Sequence, residues 1–177
     1  MRVVDKRAKV SRREFIVAGS AAAFVITNIA IIHTKEAWGL EVKALKPGTM
    51  RTLIQVARDT YPHEQLADKY YAMALMGYDE QAQKDAELKN LIEMGVSGLD
   101  LRSRDKHHKP YVAVAEEADR VAMLREIEGT KFFQKIRSGL ITGLYNNKEV
   151  WPLFGYEGSS WEKGGYIHRG FNDLDWL

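Results

Sequence analysis

Apolar residues recur at helical spacing through most of the chain. After the turn Pro47-Gly48-Thr49, the stretch MRTLIQVARDTYP places Leu53, Val56, Ala57 and Tyr61 on one helix side. Pro62 stops that helix, because the residue before a proline is pushed out of α geometry. In LADKYYAMALMGY, Leu66, Tyr70, Met73 and Ala74 share a face, predicting a second helix that ends near Gly77. Asp79 is placed to cap a third, continued by Leu88, Leu91, Ile92 and Gly95. Residues 97–110, SGLDLRSRDKHHKP, read as a polar loop. A fourth helix is expected from Ala115 to Glu128, with Ala118, Val121, Leu124 and Ile127 inward and Gly129 as its stop. Thr130 caps a fifth, KFFQKIRSGLITGLY, whose stripe is Phe133, Ile136, Leu140 and Leu144.

Residues 151–177 break the pattern. They hold seven aromatics, five glycines and no helical period. Each buried Trp or Tyr removes about 200 Å² from water, so such a segment either wraps its own domain or docks on another protein. No stretch alternates with period two. The fold class expected is mostly α: a small helical bundle with an extended, glycine- and aromatic-rich C-terminal tail.

The N-terminal end follows a different logic. Residues 1–13 are charged, and Phe15 to Ile32 form an apolar run of eighteen residues diluted by Gly19, Ser20, Thr27 and Asn28. That length sits at the threshold for spanning a membrane. Ser11-Arg12-Arg13-Glu14-Phe15 has the paired arginines and the following Phe of a twin-arginine export signal, which carries folded proteins across a bacterial inner membrane. Small side chains one and three residues before a cut suit signal peptidase, and Ala37-Trp38-Gly39 provides them. The leader is therefore expected to span residues 1–39, removed after Gly39 or retained as an anchor, with a domain at 40–177. The expected location is the periplasm or the periplasmic face of the inner membrane.

Charge separates along the same boundary. Residues 1–39 hold seven Lys/Arg against three Asp/Glu, whereas the remainder holds nineteen against twenty-one. A near-neutral body has no electrostatic reason to bind nucleic acid. The chain has no cysteine, which excludes disulfides, thiolate clusters, covalent c-type haem and a cysteine nucleophile in this polypeptide.

Candidate chemistry is sparse. His107 and His108 are adjacent on a basic stretch, a poor arrangement for converging on one metal, and no His-x-x-x-His or Glu-x-x-His spacing occurs. His168, in YIHRGF, with Asp173 or Asp175, in FNDLDW, is the nearest approach to an acid–base set. GSSWEKGG matches no phosphate-binding loop. The chain is expected to be non-catalytic and to hold no cofactor or metal.

Phe132-Phe133 ahead of GLYNN, then LFGYEG and GGYIHRGFNDLDWL, following a twin-arginine leader and a cysteine-free helical body, resemble the gluconate 2-dehydrogenase subunit 3 family. The resemblance covers most of the chain after the leader and is sharp from about Thr130 onward. It implies the small (gamma) subunit of a membrane-associated, FAD-dependent sugar, polyol or sugar-acid dehydrogenase. FAD would then sit in a partner, a large flavoprotein subunit of glucose–methanol–choline type without its own signal. An iron–sulfur cluster and cytochrome c haems would belong elsewhere in the complex. The twin-arginine translocase is a further implied partner. Ser11, Arg12, Arg13 and Phe15 would form the export signal. Trp151, Tyr156, Tyr166, His168, Arg169, Phe171, Asp173, Asp175 and Trp176 would lie in or beside the partner contact. An exported sugar-binding module, or a small enzyme using His168 with Asp173 or Asp175, is the alternative.

Overall fold

The computed structural model describes residues 42–168 and 171. The expected leader, with Ser11, Arg12, Arg13 and Phe15, lies outside those residues, as do Arg169, Asp173, Asp175 and Trp176. Among the described residues the fold is all-helical, with five α-helices and no strand. They are α1 (Pro47–Thr60), α2 (Asp68–Ala82), α3 (Ala86–His107), α4 (Glu117–Glu126) and α5 (Lys131–Tyr145). Single 3₁₀ turns lie at Tyr111–Ala113, Pro152–Phe154 and Trp161–Lys163.

α2 packs chiefly on α5 and α1, and α3 completes the core. Leu53 and Val56 of α1, Tyr71 and Leu75 of α2, Ile92 of α3 and Leu140 and Leu144 of α5 are fully buried. Each such aliphatic side chain contributes about 2 kcal/mol by leaving water. α1 and α5 match their expected apolar stripes, and Thr130 caps α5 by accepting the Phe133 N–H at 3.2 Å.

Two glycines permit the closest helix contacts. A Cβ at Gly95 of α3 would collide with the Phe132 ring of α5. One at Gly139 would displace the Tyr78 hydroxyl, which donates to the Lys135 carbonyl of α5 at 2.6 Å. Burial raises the Tyr78 pKa and keeps that donor protonated.

Four expectations are corrected. α2 buries Tyr71, Ala72, Leu75, Tyr78, Asp79 and Ala82, leaves Met73 exposed and Tyr70 and Ala74 only half-buried, and runs past Gly77. Leu66 had set the wrong phase: it is buried in a turn ahead of the helix, its N–H bonded to the His63 carbonyl, so helical periodicity does not govern it.

Asp79 does not cap α3. It lies fully buried on α2, where Oδ2 accepts the Lys43 N–H at 2.8 Å and Oδ1 accepts those of Ala44 at 3.0 Å and Leu45 at 2.8 Å. The cap of α3 is Asp85, whose Oδ1 accepts the Leu88 N–H at 2.9 Å.

Residues 97–107 are helix, not loop. Leu99 and Ser103 continue the buried track of Leu88, Ile92 and Val96, and the basic last turn suits the negative end of the helix dipole. Ser103 Oγ donates to the Lys109 carbonyl at 2.8 Å and Asp100 Oδ1 accepts the Tyr111 N–H at 2.9 Å, which shapes the exit.

α4 is shorter than expected and Ala118 is exposed. Met123, Leu124 and Ile127 face inward, in register with Arg120.

Candidate functional site

Two regions carry polar or aromatic groups arranged beyond simple core packing: a buried ionic knot beside a cleft, and the root of the C-terminal segment.

The knot is built on Asp59, near the end of α1. Arg120 of α4 grips it through two bonds, Nε to Oδ2 at 2.8 Å and Nη2 to Oδ1 at 2.9 Å. Tyr111 donates its hydroxyl to Oδ2 at 2.7 Å and Gln55 its amide to Oδ1 at 3.0 Å. The Arg120 Nη1 group donates to the carbonyls of Val114 and Ala115 at 2.8 and 2.9 Å. The Asp59 side chain is 2% exposed and that of Arg120 12%. A buried carboxylate is tolerated there because four donors replace its hydration. Burial, then the Asp59 charge, drives the Tyr111 pKa far up, so this phenol only donates. The hydrogen bond to Asp59 raises the Arg120 pKa further.

Beside the knot lies a cleft of about 420 Å³ that includes Arg58, Asp59, His63, Asp68 and Arg120. Four of its charged groups, Arg58, Asp59, Asp68 and Arg120, are paired within the chain. Arg58 Nη1 donates to Asp68 at 2.6 Å and to the Leu66 carbonyl at 3.1 Å. His63 Nε2 is 2.7 Å from the Tyr145 hydroxyl, and burial lowers the His63 pKa. No nucleophile stands beside a base in this cleft, and its ion pairs join helix to helix. Among the described residues, no group of three His, Cys, Asp or Glu side chains is arranged to hold a metal ion.

The second region starts where α5 ends. Val150 is fully buried, and the half-buried Trp151 donates its indole N–H to the Tyr145 carbonyl at 2.7 Å. Phe154 sets its ring edge-on against His63, with centroids 4.8 Å apart, and leans on Tyr145 at 5.9 Å. Gly155 adopts φ 72°, a conformation natural to glycine, and reverses the chain so that Tyr156 meets the Trp151 ring at 5.2 Å. Residues 150–156 are thereby fastened to α5 and to the α1–α2 connection.

Of the expected contact residues, Trp151 is partly covered by its own chain, whereas Tyr156, Tyr166, His168 and Phe171 are exposed. The unselected Trp161 and Ile167 are also exposed, at 89% and 78%. His107 stands on α3, with Nδ1 3.8 Å from Asp119 Oδ2. Residues missed from sequence were Asp59, Tyr111, Arg120 and His63. Asp59 and Arg120 had a signal in principle: each lies in register with inward-facing positions on its helix, where a lone charge calls for a partner.

No protein-family model, no curated protein and no solved structure matches this chain.

Proposed function

We propose that this chain is the non-catalytic small subunit of a bacterial FAD-dependent dehydrogenase complex of glucose–methanol–choline type. It escorts the flavoprotein large subunit through the twin-arginine translocase to the periplasm and stabilises it there. The support comes from the residues that resemble the gluconate 2-dehydrogenase subunit 3 family, from Arg12-Arg13 to the segment GGYIHRGFNDLDWL. Folded export serves cofactor-loaded cargo, and a chain without chemistry of its own needs a passenger to use it.

One observation favours docking over wrapping for residues 151–177. Beyond the fastened root, Trp161, Tyr166, Ile167 and Phe171 expose 55–89% of their surface in the isolated chain. Clustered apolar side chains of this size are normally withdrawn from water, and aromatics are enriched at the centres of protein interfaces. On this proposal the extended tail grips the flavoprotein, and any cytochrome c subunit joins through that assembly.

The test is co-expression of the two chains with the tail removed after Tyr156, which keeps the root. The flavoprotein should stay in the cytoplasm, as it should when Arg12 and Arg13 are both replaced by Lys. Undiminished export of the flavoprotein with the truncated chain would overturn the docking role.

A further inference from the structure

A groove of about 540 Å³ runs between the first half of α1 and a flank of α3. Arg51 and Thr52 line it from α1. Ser97, Asp100, Leu101 and Arg104, three or four residues apart and so on one side of the helix, line it from α3. The two walls are pinned to their surroundings. Glu93 of α3 accepts the Lys46 N–H at 2.9 Å and the Thr49 hydroxyl at 2.7 Å, and Asp100 Oδ1 accepts the Tyr111 N–H at 2.9 Å. A groove fixed in this way costs little ordering when a ligand enters.

Three of its polar groups lack partners. Arg51 and Arg104 make no ion pair and donate no hydrogen bond among the described residues, whereas Arg58 and Arg120 are both held by aspartates. Thr52 is 3% exposed, yet its hydroxyl has no hydrogen-bond partner among the described residues. Thr60, on the same helix, donates to the Val56 carbonyl at 2.6 Å. A buried hydroxyl left unpaired costs free energy, which a ligand oxygen would relieve. The remaining charges leave the groove positive. Lys46 Nζ lies 3.5 Å from Glu93 Oε2, and once that pair cancels, two guanidiniums face the single carboxylate of Asp100.

One guanidinium fork is enough for a carboxylate. Two forks and a hydroxyl match the three free oxygens and double charge of a phosphate monoester. We propose that the α1–α3 groove binds a phosphate monoester, its phosphoryl oxygens held by Arg51, Arg104 and the Thr52 hydroxyl. The carbon part of the ester lies along Leu101 and Val112, which are 62% and 42% exposed at the rim.

The test titrates the full chain with glycerol 3-phosphate in a calorimeter. Arg51→Gln combined with Arg104→Gln should abolish the binding, and Lys131→Gln, an exposed change on α5, should leave it intact. Thr52→Val separates a ligand contact from a packing role. It should raise the melting temperature of the free chain, because the unpaired hydroxyl is gone, and weaken the ester about tenfold. Vesicles of phosphatidic acid, compared with phosphatidylcholine, distinguish a lipid headgroup from a soluble ester. Sedimentation with phosphatidic acid alone, lost in the double-Gln chain, would support the site and assign it a lipid. Equal affinity for succinate would overturn the proposal, as would unchanged binding by Thr52→Val or the failure of both esters to bind.

Discussion

Asp59 and Arg120 stand 61 residues apart in the chain and meet through two bonds of 2.8 and 2.9 Å. This fork joins α1 to α4, and Tyr111 closes it from the connection between α3 and α4. Arg120→Ala would leave a buried carboxylate facing only Tyr111 and Gln55, a loss of about 3–5 kcal/mol. Arg120→Lys should recover little, since an ammonium cannot make the two-pronged contact. Urea unfolding of the three proteins checks both expectations.

Asp79 gathers the N–H groups of three consecutive residues, Lys43 to Leu45. Asp79→Asn turns one acceptor into a donor that opposes an N–H, at a cost of about 1–3 kcal/mol. Hydrogen exchange should quicken at Lys43, Ala44 and Leu45 well before it changes in the middle of α5.

Gly95→Ala forces the Phe132 ring aside, and overpacking of this kind costs about 1–3 kcal/mol. Phe132→Leu in the same chain should return part of that loss. A double-mutant cycle by thermal melting would measure the coupling, and strict additivity would show that the two residues do not share the contact.

Acidification should loosen the root of the C-terminal segment. The His63 pKa lies below its ordinary 6.5 because burial disfavours the imidazolium. The unfolded chain therefore takes up the proton first, so this contribution is complete above pH 6.5 and is lost as pH falls below it. Glu93 acts in the same direction at lower pH. Burial alone would raise its pKa, but the Lys46 N–H and the Thr49 hydroxyl hold it below the usual carboxyl range. His63→Gln should flatten the fall in urea midpoint between neutral and mildly acidic solution.

His108 ends α3 at φ 57°, a left-handed position that costs a non-glycine residue about 1 kcal/mol. His108→Gly should raise the melting temperature, and His108→Val should lower it.

How far the sequence led depended on whether one local rule decided the outcome. α1 and α5 have uninterrupted apolar stripes with a proline stop or a threonine cap, so periodicity placed them. In α2 the phase was set by contacts elsewhere: Leu66 is buried by a turn, and Asp79 by three amides that precede α1. The C-terminal half of α3 looked like a loop because nearly every residue there is polar. Leu99 and Ser103, four apart on the buried side, were its helical signature. The Asp59–Arg120 fork depends on how α4 is laid across α1, which no local pattern records. The aromatic segment was conspicuous from composition, yet the division between Phe154, seated on His63, and Trp161, left in water, needed coordinates.

The carboxylate of Asp79 has a mechanical consequence. Any tension applied from the N-terminal side reaches Lys43, Ala44 and Leu45 before it reaches the first turn of α1. The load therefore passes into α2, one of the most deeply embedded helices, and the domain resists being unravelled from its leading end.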